Sequence, residues 1–142
     1  MEDKYIMICL DCGSISFYEV GSYRATFEID EKELKYKYEI EPEEVYETRC
    51  SECASDNLVE VYGKVEDLKK FIHMDNQERL IYLCELIVQK RVSLSRKFDV
   101  KSLIERLINE LEEDLEMCQD DEIKKSIVQN ISKLKKLQLC VN

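Results

Sequence analysis

Cys9 and Cys12 in ICLDCGS, and Cys50 and Cys53 in TRCSECAS, form two CxxC pairs separated by 37 residues. In such a pair the chain turns tightly, both sulfurs face one point, and nearby backbone N–H groups aim at them. Two pairs supply four thiolates, the closed tetrahedral set expected of structural zinc, with no position left for water or substrate. Gly13 follows the first pair and suits the positive φ that closes such a knuckle, whereas the second pair is followed by Ala54 and Ser55. Seven cysteines is an odd number, and CxxC pairs in a reducing compartment point to metal rather than a disulfide framework. Unliganded thiols, a disulfide or a rubredoxin-like iron site are the alternatives left open by the spacing. Of the other three, Cys84 falls on the apolar side of IYLCELIV as a core residue, and Cys118 and Cys140 sit near helix ends.

The elements that must position these cysteines differ between the two halves of the chain. Residues 1–63 read as strands. Tyr23, Ala25, Phe27 and Ile29 share one face, as do Leu34, Tyr36, Tyr38 and Ile40, with DEKE at 30–33 as a polar turn between them. Further strands are expected at about 15–20 and at 57–62. After Gly63 the apolar period changes from 2 to 3.6, no Gly or Pro follows, and everything beyond reads as helix, roughly 64–73, 75–91, 99–118 and 121–138. Asp99 is the expected N-cap of the third helix, with a stripe of Val100, Leu103, Ile104, Leu107, Ile108 and Leu111. The fourth carries Ile123, Ile127, Ile131 and Leu134, so the last two helices should pack as a hairpin. The fold class expected is α+β: a zinc-ribbon-like antiparallel β module at 1–63 followed by an α-helical domain at 64–142, whose stripes are also compatible with a homodimer.

Charge is as unevenly distributed as structure. Residues 1–63 contain 16 acids and 6 bases, a net of −10, whereas 64–142 contain 15 of each. Such a β module repels phosphates and attracts a basic partner, with Glu41, Glu43 and Glu44 as its candidate contacts. Acids also crowd residues 110–122, among them Glu112, Glu113 and Asp114, which read either as a phosphate mimic or as a solvated helix end. Lys90, Arg91, Arg96, Lys97 and Lys101 in and after the connector KRVSLSRK form the opposite candidate, a phosphate-binding patch. Catalysis has little support. There is no Gly-rich phosphate loop and no nucleophile beside a His; the single His73 reads as a surface residue, and the Asp11, Glu33 and Lys35 order of some metal-dependent nucleases arises by chance in so charged a chain. No run of about 18 apolar residues could span a bilayer, and the acidic N-terminus is unlike a signal peptide, so a cytoplasmic protein is expected.

Two CxxC pairs thirty-odd residues apart, the first followed by Gly and the second preceded by the β segment VYETRCSEC, resemble the N-terminal zinc-finger module of MqsA-type antitoxins over residues 5–62. The resemblance implies a zinc module that contacts a toxin ribonuclease. The C-terminal half departs from that family, since no helix-turn-helix with its Gly turn is found in 64–142. The expected role is therefore non-catalytic: a zinc-ribbon protein that inhibits or recruits a basic, nucleic-acid-handling protein, as an antitoxin or a phage anti-defence inhibitor of a host nuclease would. The alternative is a nucleic-acid-binding transcriptional regulator that uses the basic connector.

Overall fold

The structure, a computed structural model, describes residues 4–21, 23–39 and 44–141. Among these described residues seven strands and four helices follow one another as β1 (Tyr5–Cys9), β2 (Phe17–Gly21), β3 (Arg24–Asp30), β4 (Lys35–Lys37), β5 (Val45–Cys50), β6 (Leu58–Gly63), α1 (Val65–Ile72), α2 (Asn76–Val88), β7 (Val92–Leu94), α3 (Val100–Met117) and α4 (Asp121–Cys140). The α+β class and the N-terminal strand module are as the periodicities require. The chain resolves into two compact units, Met1–Leu80 with Arg91–Lys97, and Ile81–Lys90 with Phe98–Asn142.

The first unit contains two antiparallel sheets, a three-stranded one in the order β1-β6-β7 and a four-stranded one in the order β4-β3-β2-β5. The β3–β4 hairpin closes on Asp30, whose carboxylate accepts from the N–H groups of Lys32 and Glu33 (2.9 and 2.8 Å). Leu34, expected at the head of a strand, instead ends this turn at φ 55 and is buried. Phe17, Ala25 and Phe27 are buried on the four-stranded sheet, with Met7 of β1 and Leu58 of β6 packed against them. The Phe17 and Phe27 rings stack with centroids 4.8 Å apart. Tyr36, half-buried, also packs here. Its hydroxyl accepts from the Met7 N–H and donates to the Ile15 carbonyl, both at 2.8 Å, so a side chain of β4 occupies the edge of β1.

Residues beyond 63 are not all helical, contrary to expectation. After α2 the chain turns at Gln89 and Lys90, the latter at φ 58, and β7 then pairs with β6 through Val61↔Leu94, Tyr62↔Ser93 and Gly63↔Val92. Gly63 permits this pairing, since a Cβ there would come within 3.1 Å of Val92 Cγ1 and 3.2 Å of the Arg91 carbonyl. α1 buries Leu68 and Phe71 against β1 and β6, and its buried Asp67 accepts from the Arg91 guanidinium just before β7. The line expected between residues 63 and 64 thus falls inside the first unit.

In the second unit α3 and α4, joined by three residues, pack on one another as a helical hairpin. Asp99 caps α3 by accepting from Ser102 N–H at 3.1 Å, and Asp120 caps α4 by accepting from Glu122 and Ile123. Leu103, Ile104, Leu107, Ile108 and Leu111 of α3 are buried, as are Ile127, Ile131 and Leu134 of α4 and Leu83, Cys84 and Leu86 of α2. Ile123, placed on the α4 stripe by its spacing, is 54% exposed because it lies in the first turn, ahead of the packed region. No helix among the described residues is long and apolar enough to cross a membrane.

Candidate metal centre

The two CxxC pairs stand at the ends of strands from different sheets. β1 ends at Cys9 and β5 at Cys50, and each chain then makes the same turn. In the first, Cys9 N–H donates to the Ser14 carbonyl (2.9 Å) and Gly13 N–H to the Cys9 carbonyl (2.7 Å). In the second, Cys50 N–H donates to Ser55 (2.8 Å) and Ala54 N–H to Cys50 (2.9 Å). The residue after each second cysteine takes a left-handed conformation, Gly13 at φ 83 and Ala54 at φ 60. CSECA, which lacks the glycine, therefore makes the same knuckle as CLDCG.

These turns bring four sulfurs together. Cys9 Sγ lies 3.6 Å from Cys53 Sγ, Cys12 Sγ lies 3.5 Å from Cys50 Sγ, and all four are within 4.8 Å of one another. A tetrahedron with metal–sulfur bonds of about 2.3 Å has edges of about 3.8 Å, inside that range. Among the described residues this is the one group of His, Cys, Asp and Glu side chains placed to hold a metal ion. Cys9 and Cys50 are buried, Cys12 is half-buried and Cys53 exposed. Burial pushes the Cys9 thiol up to about 11 and raises Cys12 as well. At Cys50 burial acts in the same direction, but N–H groups of Cys53 and Glu52 outweigh it and hold the thiol below its ordinary value. Four thiolates at this separation repel one another strongly, and a divalent cation is the natural counter-charge.

A polar framework surrounds the sulfurs. Asp11, inside the first knuckle, accepts from Ser55 Oγ and from Asn57 Nδ2 (2.9 Å), so it ties one knuckle to the other. Asn57 in turn accepts from the Arg96 guanidinium, and its carbonyl accepts from Leu10 N–H at 2.9 Å. On the other side, the first turn of α2 touches both knuckles. Asn76 Nδ2 donates to Glu52, while the Asn76 carbonyl approaches Gly13 so closely that a Cβ there would overlap it. Arg79 donates to Asn76 Oδ1 (2.8 Å), the Phe71 carbonyl (2.8 Å) and the Gly13 carbonyl (3.4 Å). Arg49 donates to the Ala54 carbonyl at 2.8 Å, so each left-handed residue has its carbonyl held by a guanidinium. Asn57, Asn76 and Arg79 carry no sequence signal, being ordinary polar residues with no fixed spacing to the cysteines.

The other candidate residues are placed as follows. Glu41 and Glu43 lie outside the described residues; Glu44 is exposed and accepts from Tyr46 Oη at 2.9 Å. Glu112, Glu113 and Asp114 are exposed on α3, with Glu112 3.9 Å from Lys135. The basic candidates are divided between the units: Arg91, Arg96 and Lys97 belong to the first, Lys90 and Lys101 to the second. Arg91 is engaged with buried Asp67, and Arg96 with Asn57 and the Leu58 carbonyl (3.0 Å); Lys90, Lys97 and Lys101 are exposed. Asp11, Glu33 and Lys35 make no joint site: Asp11 is taken by the knuckles, and the Glu33 carbonyl accepts from Lys4. His73 pairs with Glu31 at 2.9 Å on the surface.

The charge asymmetry along the sequence is softer in space. The first unit has 20 acids and 13 bases, a net of −7, and the second 11 and 8, a net of −3. Fold and site together define an α+β chain whose β unit carries a two-knuckle cluster of four cysteines placed to hold a metal ion. No family model, curated protein or solved structure matches the chain.

Proposed function

We propose that Cys9, Cys12, Cys50 and Cys53 hold one Zn2+ as a structural ion, and that the chain works without catalysis by binding a basic, nucleic-acid-handling protein, which it inhibits or recruits. The convergence of the four sulfurs within 4.8 Å carries the zinc reading. All-cysteine, closed coordination favours zinc, and it leaves no open position at which the ion could activate water. The same convergence supports the binding role. Zinc with four thiolates contributes about −2, taking the first unit from −7 to about −9 and making it a stronger attractor of basic surfaces. An antitoxin-like protein or an inhibitor of a defence nuclease would use such a surface in this way.

Against the regulator alternative, Arg91 and Arg96 already serve internal partners, so the connector offers fewer cations to phosphate than its sequence implies. The test is affinity capture with the zinc-loaded chain at moderate salt, identifying protein and nucleic acid separately. One stoichiometric basic protein is expected, with association slowed when Glu41, Glu43 and Glu44 are changed to Lys. Specific DNA or RNA in the eluate, lost on changing Lys97 and Lys101 to Glu, would transfer the function to the basic connector. Elemental analysis should give one zinc per chain.

A further inference from the structure

We infer that the outer edge of β5 is the docking site, and that it takes an extended basic segment of the partner protein as an added strand. The inference rests on the binding role proposed above and specifies how it is carried out. Among the described residues the first unit has four sheet edges, and three of them are closed to a newcomer. β4 and β7 are three residues long, and β4 carries Lys35 and Lys37, two standard defences of an edge. On β1, Tyr36 hydroxyl already holds the Met7 N–H.

β5 is less protected: its pairing with β2 shifts so that Tyr46 is an extra residue between Val20↔Glu47 and Gly21↔Val45, and its one base, Arg49, is turned to Glu47 and the Ala54 carbonyl. It is six residues long and contains no proline, and its one neighbour in the sheet is β2. Val45 is 49% and Tyr46 69% exposed, so the strand combines apolar side chains with an edge that no other strand among the described residues covers. An added strand would gain main-chain hydrogen bonds from the edge and specificity from alternate side chains. Charge selects the occupant. Glu44 is exposed just before the strand, Glu47 is exposed on it and paired with Arg49 at 2.9 Å, Glu41 and Glu43 precede them in the sequence outside the described residues, and the unit as a whole is at −7. A second copy of this chain would bring the same negative unit to itself, whereas a Lys- or Arg-bearing segment is attracted.

The probe is a short, end-capped peptide of alternating Lys and Val, compared with the same peptide N-methylated at every backbone amide, which keeps its charge but has no N–H to pair as a strand on either edge. With the zinc-loaded full chain, the unmodified peptide should protect the amides of residues 45–48 from hydrogen exchange, and N-methylation should weaken it about tenfold or more. Changing Val45 and Tyr46 to Lys, both on the surface, should abolish the protection, and Lys35→Glu at the β4 edge should not. Equal affinity of the two peptides without protection of β5 would overturn strand addition and leave the acidic-surface reading standing. Binding of neither peptide would overturn it too, and the capture experiment judges the parent reading separately. Protection of β5 that rises with protein concentration in the absence of peptide would assign the edge to a second copy instead.

Discussion

At the same point of the same turn the first knuckle has Gly13 and the second Ala54, and the structure explains why they are not interchangeable. Both residues sit at positive φ, and both carbonyls are held by an arginine. Gly13 is additionally pressed against the Asn76 carbonyl at the start of α2, and its surroundings are buried; Ala54 is exposed, with room for its methyl group. The first knuckle is thus part of the core of its unit, and the second is a surface loop tied to it through sulfur and Asp11. A left-handed conformation alone costs an alanine about 1 kcal/mol, which a surface turn tolerates. Backbone overlap has no such latitude.

Removal of the metal should have the largest effect, because it dissolves the comparison by freeing both knuckles. Structural zinc sites of this kind are associated with apparent stabilisation of about 10–16 kcal/mol, far more than a domain of this size has to spare. A strong chelator should therefore unfold the β unit while the helices of α3 and α4 persist, read as loss of the near-ultraviolet tyrosine signal with most of the helical far-ultraviolet signal retained. Acid should act in the same direction. Thiols bound to the ion have pKa values far below their ordinary range, so the stabilisation they supply is present above that range and is lost as the pH falls and protons displace the metal. Collapse of both signals together on chelation would overturn this expectation.

Gly13→Ala ranks next and separates the knuckles directly. The left-handed penalty and the overlap with Asn76 together should cost about 2–5 kcal/mol, measured as a lower midpoint of thermal or denaturant unfolding of the zinc-loaded chain. A cost near 1 kcal/mol would mean that α2 moves aside, and that the first knuckle is no more a part of the core than the second.

The four cysteines were readable because sulfur chemistry demands a fixed local spacing, and any fold that uses it displays CxxC. The stripes of α3 and α4 were readable for the same reason, since burial at a period of 3.6 leaves its mark over five turns. β7 was not, because three residues are too few to show alternation and because Lys90, rather than glycine, takes the left-handed position at φ 58 in the turn after α2. Gly63 resembled a boundary marker, yet its lack of a side chain serves the close approach of β7. The roles of Asn57, Asn76 and Arg79 depend on loops meeting across the fold, which no local pattern encodes. Net charge misled in a related way: the excess of −10 in residues 1–63 is reduced to −7 once Arg91, Arg96 and Lys97 join the same unit.

Asp11 tests the tie between the knuckles. Its carboxylate accepts from Ser55 and Asn57, and Asp11→Asn replaces one acceptor oxygen with a donor facing a donor. Zinc affinity, measured by competition with a chromophoric chelator, should fall about 10–100-fold, as for other residues that orient metal ligands, with the fold intact under excess zinc. An unchanged affinity would show that the sulfurs hold the knuckles in register without help.

The smallest effect is also the one whose sign is most informative. Ala54→Gly removes the left-handed penalty where no neighbour crowds the site, but it also gives the unfolded chain more freedom, a cost of about 0.4–1 kcal/mol. The two terms cancel if the strain of alanine at φ 60 is itself about 0.4–1 kcal/mol; a full penalty of about 1–2 kcal/mol leaves a net gain of up to about 1.6 kcal/mol. A gain in unfolding midpoint, opposite in sign to the loss at Gly13, would establish that the second knuckle retains an alanine at the expense of stability. Destabilisation would mean that alanine at φ 60 is strained by less than the extra freedom glycine gives the unfolded chain, so that the second knuckle holds its left-handed residue at no net cost.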